Sequence, residues 1–300
     1  MLDIAERVLE MSQEQMRRQC KVGIHARNAV WFRDIDYQLL RVMKAESIKM
    51  MSYTALDVFE RIKREFPNIL FVVRVYDTDL QNGFFDQKKH PMPEHYFSVI
   101  APKIKQIHRV CGAQIFEIHN EPNHNESYEG WGDTEEHAKS FNDWFIDVRN
   151  RLKNKFDWIE VMFPGLAIPH NDLLWKDWCE EAINLSDCLG VHAYWQYANH
   201  LHDRWGLVFK HFHEKYPDKD IHLTEVGNTD IHRGVNTPED TLAQQYIEYY
   251  KKCFEYDYIK SVHPFLMSSS DKKNWDYFSW VTEGNHFKAQ ARAIGSLERD

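Results

Sequence analysis

The sequence predicts a (β/α)8 TIM barrel of the α/β class, and three observations carry that prediction. Short apolar runs alternate with helical patterns eight times along the 300 residues, at nearly even spacing. The clearest run, Ile69 to Tyr76, is interrupted only by Arg74, as expected of a strand covered on both faces in a parallel sheet. Two further runs close on a glutamate: Gln114-Ile115-Phe116-Glu117-Ile118-His119-Asn120-Glu121-Pro122-Asn123, and Ile221-His222-Leu223-Thr224-Glu225-Val226-Gly227-Asn228. Pro122 has no N–H to give to a ladder, so Asn120 and Glu121 stand where a strand is forced to stop. The C-terminal strand ends of a parallel barrel are where chemistry is placed.

Taken in order, Leu2, Ala5, Leu9 and Met16 form a helical stripe, so residues 3–19 read as a leading helix. Lys21 to Ala26 is the first strand, with Gly23 and His25 sharing one face. A polar and aromatic loop follows (Arg27, Asn28, Trp31, Phe32), then a helix over 36–46 carrying Leu39, Leu40 and Met43. Ser47 to Ser52 is the second strand, and 54–66 is a helix stopped by Pro67. After Ile69 to Tyr76 comes a loop with Asp77, Asp79 and Gly83, and a helix over 94–111. The fourth strand is the Glu121 stretch, followed by a long loop holding Trp131 and a helix over 134–154. Strands at 158–164, 188–195, 221–227 and 258–267 alternate with helices at 172–183, 203–216, 238–256 and 287–298. Thr237 is the N-cap expected for the helix at 238. One domain of barrel size spans residues 1–300, with 1–20 as the leading helix and 21–300 as the barrel. A doubly wound sheet is the main rival, but it rarely needs eight even units, and no glycine-rich phosphate turn is present.

Composition narrows the function. Net charge is −9, with 37 basic residues scattered through the chain, which argues against nucleic acid. No run of eighteen apolar residues exists, so no membrane span is expected. The N-terminal twenty residues lack the apolar centre of a signal peptide, which makes a cytoplasmic location the expectation, or secretion if a leader had been trimmed. Five cysteines (Cys20, Cys111, Cys179, Cys188, Cys253) have neither metal nor redox spacing and read as reduced, buried thiols. Most of the 18 Phe, 14 Tyr and 10 Trp read as core, and those near strand ends are candidate platforms for flat ligand faces such as sugars.

In a barrel, Glu121 ends strand 4 and Glu225 ends strand 7, so closure sets the two carboxyl groups across one mouth. Cleaving a glycosidic bond needs such a pair: one protonated to donate to the leaving oxygen, the other ionised to attack the sugar. A separation of about 5–5.5 Å implies retention of configuration and about 6.5–9.5 Å inversion.

Phe-Glu-Ile-His-Asn-Glu-Pro-Asn at 116–123 and Leu-Thr-Glu-Val-Gly at 223–227 resemble the strand-4 and strand-7 motifs of retaining glycoside hydrolases of clan A, with family 39 the most similar in wording. The resemblance implies Glu121 as acid/base, Glu225 as nucleophile and Asn120 as a ligand to the sugar 2-hydroxyl. Gly190-Val191-His192-Ala193-Tyr194-Trp195 resembles the clan's strand 6, which implies that Tyr194 hydrogen-bonds the nucleophile beside His192. Trp275 to Ile294 resembles the aromatic strand-8 loop and closing helix, making Trp275 or Trp280 a stacking residue. His119 departs from the pattern, since the family usually has tryptophan there.

Arg74 is the inward cation of strand 3, placed to hold Glu225 or Glu117 ionised, or to fill the interior as a pair with Glu117. His25, His119 and His263 face inward as candidate sugar ligands, His25 foremost, or as satisfied core histidines. Trp31, Trp131, Trp175 and Trp178 read as packing, with Trp131 the best exception. His200-Leu201-His202 and His211-Phe212-His213 tempt a metal reading but fall away from strand ends. A metal-dependent barrel hydrolase wants a His-x-His on strand 1, which shows only His25. No Gly-x-Ser-x-Gly elbow occurs. The expected activity is glycosidic-bond hydrolysis of an oligo- or polysaccharide with no metal and no cofactor. Its rivals are a transglycosidase on the same residues and a saccharide-binding barrel without catalysis. Oligomeric state stays open.

Overall fold

Eight parallel strands close on one another in sequence order. They are β1 (Lys21–His25), β2 (Ser47–Met51), β3 (Leu70–Val75), β4 (Ile115–Ile118), β5 (Glu160–Phe163), β6 (Cys188–Trp195), β7 (Asp220–Asn228) and β8 (Ile259–Pro264). The computed structural model describes residues 20–76, 90–125, 129–271, 275–282 and 284–299. The expected leading helix at 3–19 and the loop residues Asp77, Asp79 and Gly83 lie outside them.

The described helices are α1 (Asp34–Val42), α2 (Leu56–Glu65), α3 (Pro93–Cys111), α4 (Glu135–Lys155), α5 (Asp172–Trp178), α6 (Glu180–Leu185), α7 (Phe209–Lys215), α8 (Glu239–Cys253) and α9 (Ala289–Gly295). Pro93 opens α3 at its first turn, where its missing N–H costs nothing, and Gly112 closes it at φ +75°. Thr134 caps α4, its side chain accepting from the His137 N–H. Thr237 does not cap α8 as expected: Pro238 holds the cap position, and the Thr237 hydroxyl donates to Asp230 Oδ2 at 2.6 Å. The single helix expected over 172–183 is two, broken at Cys179, and the one expected over 203–216 shrinks to α7 behind a 3-10 turn at Ala198–His202.

Two cores form, one on each side of the sheet. The larger lies between barrel and helices and takes the outward strand residues, among them Ile24, Ile48, Val73, Phe116, Val161 and Leu189. Inside the barrel, Val72, Ile115, Met162 and Cys188 make a small apolar plug near the N-terminal strand ends. Above that plug the interior turns polar. Ser47 Oγ and His263 Nε2 share a hydrogen bond of 2.6 Å, and His222 Nδ1 and Ser261 Oγ one of 2.7 Å. His263 is therefore a satisfied core histidine, and the polar layer carries the next one, in which the carboxylates stand.

Candidate active site

The site begins with an irregularity in β7. Strand β6 pairs Val191 with Leu223, then His192 with Glu225, so one residue, Thr224, is extra at that step. Successive strand residues normally point to opposite faces. A bulge relaxes that rule by leaving the added residue out of the ladder. Here both Thr224 and Glu225 reach the interior: Thr224 donates its hydroxyl to Glu117 Oε1 at 2.9 Å, and Glu225 turns to the mouth.

Glu225 is buried and ringed by donors. Tyr194, two residues beyond His192 on β6, donates its hydroxyl to Glu225 Oε2 at 2.9 Å. The fully buried Lys49 of β2 donates to Glu225 Oε1 at 3.3 Å and pairs with Glu117 Oε2 at 2.8 Å. His25 Nε2 and His192 Nε2 stand 3.8 and 3.9 Å from the same Oε1. Burial works against the charge, but His192, Lys49, His25 and Arg74 together outweigh it and hold the Glu225 carboxyl far below the usual range. The same balance, led on the favourable side by Lys49, lowers Glu117. His25 is pushed down to about 4, by burial first and by Lys49 next, so it faces Glu225 as a neutral ring near pH 7.

Glu121 sits three residues past β4 at φ +44°, with its N–H on the Gly165 carbonyl at 2.9 Å. Its carboxyl is about a quarter exposed and shares a 2.9 Å hydrogen bond with His192 Nδ1. His192 therefore stands between the two glutamates, one ring nitrogen toward each. Gly165, after β5, makes room for it: a Cβ there would fall 2.1 Å from His192 Cδ2. The Gly165 N–H also donates to Glu117 Oε1 at 3.2 Å, so one glycine ties the Glu121 backbone and the Glu117 carboxylate together.

These groups open into a cleft of about 1120 Å³ at the C-terminal mouth, lined by His25, Arg74, Asn120, Glu121, Tyr194, Glu225 and Trp275 among others. Of the leading sequence candidates, His192 alone does not line the cleft and lies behind it as the bridge between the glutamates. Asn120 Oδ1 is buried with no hydrogen-bond partner among the described residues. Trp275 is 39% exposed and packs edge-on against Phe265, whereas its alternative Trp280 is fully buried.

Three expectations need correction. Arg74 adds to the field that keeps Glu225 and Glu117 ionised, but it does not fill the interior as a pair with Glu117: its ion-pair partner is Glu129, and Lys49 stands between Glu117 and Glu225. His119 does not line the cleft: it is buried at φ +80°, accepts from Trp131 Nε1 at 3.2 Å and meets Phe141 and Trp144 edge-on. Trp131 is its packing partner and stacks on His90, so it is no platform either. Lys49 and Glu129 were missed. Lys49 had a signal, a lysine in the middle of an otherwise apolar strand, Ser-Ile-Lys-Met-Met. Glu129 had none, since it reaches the cleft from a loop of no fixed period.

Glu121, His192 and Glu225 present ligand atoms all within 4.8 Å of one another, the one such set of three among the described residues. A divalent cation there would sit beside the Lys49 ammonium, 3.3 Å from Glu225 Oε1, and meet its repulsion. The donor set suits a proton better than a metal ion.

Fold and site together define a (β/α)8 barrel with paired carboxylates at its C-terminal mouth. No protein-family model and no curated protein matches the chain. Solved structures do match. An endo-β-1,3-glucanase of glycoside hydrolase family 128 from Amycolatopsis mediterranei, in complex with laminaritriose, superposes with a TM-score of 0.63 at 14% identity, covering 93% of this chain and 99% of that one. A family 128 exo-β-1,3-glucanase from Cryptococcus neoformans gives 0.59 at 16%, covering 92% and 99%. A family 128 endo-β-1,3-glucanase from Pseudomonas viridiflava gives 0.61 at 13%, covering 93% and 98%. At such identities the likeness establishes the barrel over nearly its whole length. Family 39, whose motifs the strand ends resemble, gains no support from these structures.

Proposed function

We propose that this chain is a retaining glycoside hydrolase acting on a β-glucan, with Glu225 as nucleophile and Glu121 as acid/base. One observation carries the proposal: at the ends of β4 and β7, an oxygen of each carboxylate lies within 4.8 Å of one of the other, inside a single cleft. That spacing fits the short separation of double displacement and leaves little room for the water that inversion interposes. The two groups also differ as the mechanism requires. Glu225 is held ionised by its buried cationic and imidazole neighbours, while Glu121 is more exposed and hydrogen-bonded to His192 Nδ1.

In the first step Glu225 attacks the anomeric carbon. The glycosidic C–O bond breaks, and the leaving oxygen takes a proton from Glu121. Glu121, now ionised, then draws a proton from water, whose oxygen attacks the glycosyl-enzyme and restores Glu225 as a free carboxylate. The glucan class rests on the family 128 likeness; the Amycolatopsis mediterranei enzyme was solved with laminari-oligosaccharides.

The test is incubation with 2-deoxy-2-fluoro-β-glucosyl and laminaribiosyl fluorides, then intact mass and peptide mapping, beside a laminarin reducing-sugar assay. A stoichiometric adduct on Glu225, together with laminarin cleavage lost by several orders of magnitude in Glu121→Gln and Glu225→Gln, is expected. An adduct on another carboxylate, or parent-like rates in either variant, refutes the assignment. Transfer to sugar acceptors without release into water would mark a transglycosidase.

A further inference from the structure

The double displacement makes no use of one charged pair in the cleft wall. Arg74 of β3 and Glu129 form a buried ion pair, and both line the cleft. The pair is not closed on itself. Arg74 Nε and Glu129 Oε2 are each buried with no hydrogen-bond partner among the described residues, and Asn120 Oδ1 is in the same state. Leaving such atoms unpaired is costly, about 1–3 kcal/mol for a neutral group and more for a charged one. The Arg74 and Glu129 side chains both line the cleft, so a ligand held there meets a donor and an acceptor side by side. The adjacent surface is aromatic: Tyr76 lies under the Arg74 guanidinium at 5.6 Å, and Tyr53 meets Tyr76 edge-on at 5.5 Å. Both tyrosines line the cleft.

A donor and an acceptor fixed side by side above aromatic faces match one chemistry. A vicinal diol gives one hydroxyl hydrogen to the carboxylate and accepts an N–H from the guanidinium, while the C–H face of its ring covers a tyrosine. We infer that Arg74 and Glu129, with Tyr76 beside them, form a sugar subsite on the β3–β4 side of the cleft that grips two adjacent free hydroxyls of a neutral pyranose next to the cleavage point. Burial pushes the Glu129 carboxyl up to about 7 against the pull of Arg74, so above that pH the pair carries no net charge and gives no gain to a uronate. Substitution or removal of either hydroxyl leaves part of the clamp unpaired, which is how a polar site rejects an analogue that lacks the group. This inference rests on the saccharide reading proposed above.

The experiment titrates laminaritriose into the Glu121→Gln chain, which holds substrate without turning it over, and into the same chain carrying Arg74→Met and Glu129→Leu. Replacing both charges at once leaves neither orphaned, so the fold is retained, as a thermal melt verifies. Laminaritriose is expected to bind the second chain about 10- to 100-fold more weakly, the size of lost hydrogen bonds to charged groups. Equal affinity in the two folded chains overturns the clamp while leaving the glycosidase reading intact. Failure of the first chain to bind laminaritriose or any other gluco-oligosaccharide overturns both.

A second measurement needs no change in the wall. Singly deoxygenated laminaritrioses are compared on the Glu121→Gln chain. Losses of about tenfold at two adjacent hydroxyls of one ring are expected, and no loss at any adjacent pair refutes the clamp.

Discussion

Lys49→Met is the substitution that most sharply tests the electrostatics proposed here. The Lys49 ammonium lies 3.3 Å from Glu225 and 2.8 Å from Glu117, with no exposed surface of its own. At 3.3 Å and an effective dielectric of about 20, one such charge favours the Glu225 carboxylate by about 5 kcal/mol. At about 1.4 kcal/mol per pH unit, the Glu225 pKa can rise by at most about three to four units when the ammonium is lost. His192, His25 and Arg74 remain, and the loss of the ammonium also raises Glu117, which takes one negative charge from the neighbourhood. A rise of about one to two units is therefore expected. The carboxylate must be ionised to attack, so the acid limb of kcat/KM moves to higher pH by that amount. The assay is laminarin-oligosaccharide cleavage from pH 3 to 8, with the parent limb lying below the ordinary carboxylate range of about 4. Removing one partner of a buried pair also costs about 3–5 kcal/mol, so the melt of this 300-residue chain should fall by roughly 5–8 °C. Adding Glu117→Gln removes the orphaned charge and should recover most of the melt. A folded Lys49→Met chain whose acid limb coincides with the parent's refutes the reasoning, because Lys49 would then hold shape without setting charge.

Other expectations follow from the same geometry. Gly165→Ala drives a methyl to 2.1 Å from His192 Cδ2, so the imidazole must leave Glu121; overpacking of about 1–3 kcal/mol and a tenfold or larger loss in kcat/KM should appear together. A melt and rate both equal to the parent's would show that His192 is free to shift. Tyr194→Phe deletes the 2.9 Å hydrogen bond to Glu225 and should cost about 10- to 100-fold in kcat/KM with little change in fold, read by steady-state kinetics beside circular dichroism. His222 is pushed down to about 4, chiefly by burial, so between pH 4 and 6.5 the unfolded chain binds a proton there that the folded chain does not. Stability contributed by this group therefore rises with pH across that window, by about 1.4 kcal/mol per unit. His222→Asn should flatten the melting-temperature profile between pH 4 and 6.5 by that slope; an unchanged profile would mean that His222 is protonated in the fold.

The sequence alone determined the barrel and the whereabouts of its two glutamates, because both follow from local rules. Apolar runs such as Ile69 to Tyr76 can sit only in a covered parallel strand, Pro122 ends its strand by lacking an N–H, and eight strand–helix units close in one way. Tyr194 and His192 share a face by the period of two, and the strand-6 resemblance set Tyr194 against Glu225. Where sequence failed, the deciding fact was a contact between distant segments. Arg74 went to Glu129, from a loop with no period to read, and Lys49 took the place expected of Arg74. Trp131 and His119 were turned away from the mouth by each other and by Phe141 and Trp144, a packing choice made across residues 119 to 144. Above all, the bulge at Thr224 brings two neighbouring residues to one face, against the alternation that any strand pattern assumes. Only the closed sheet can impose that shift, since it is set by how β7 pairs with β6 and β8, and the charge around Glu225 depends on it.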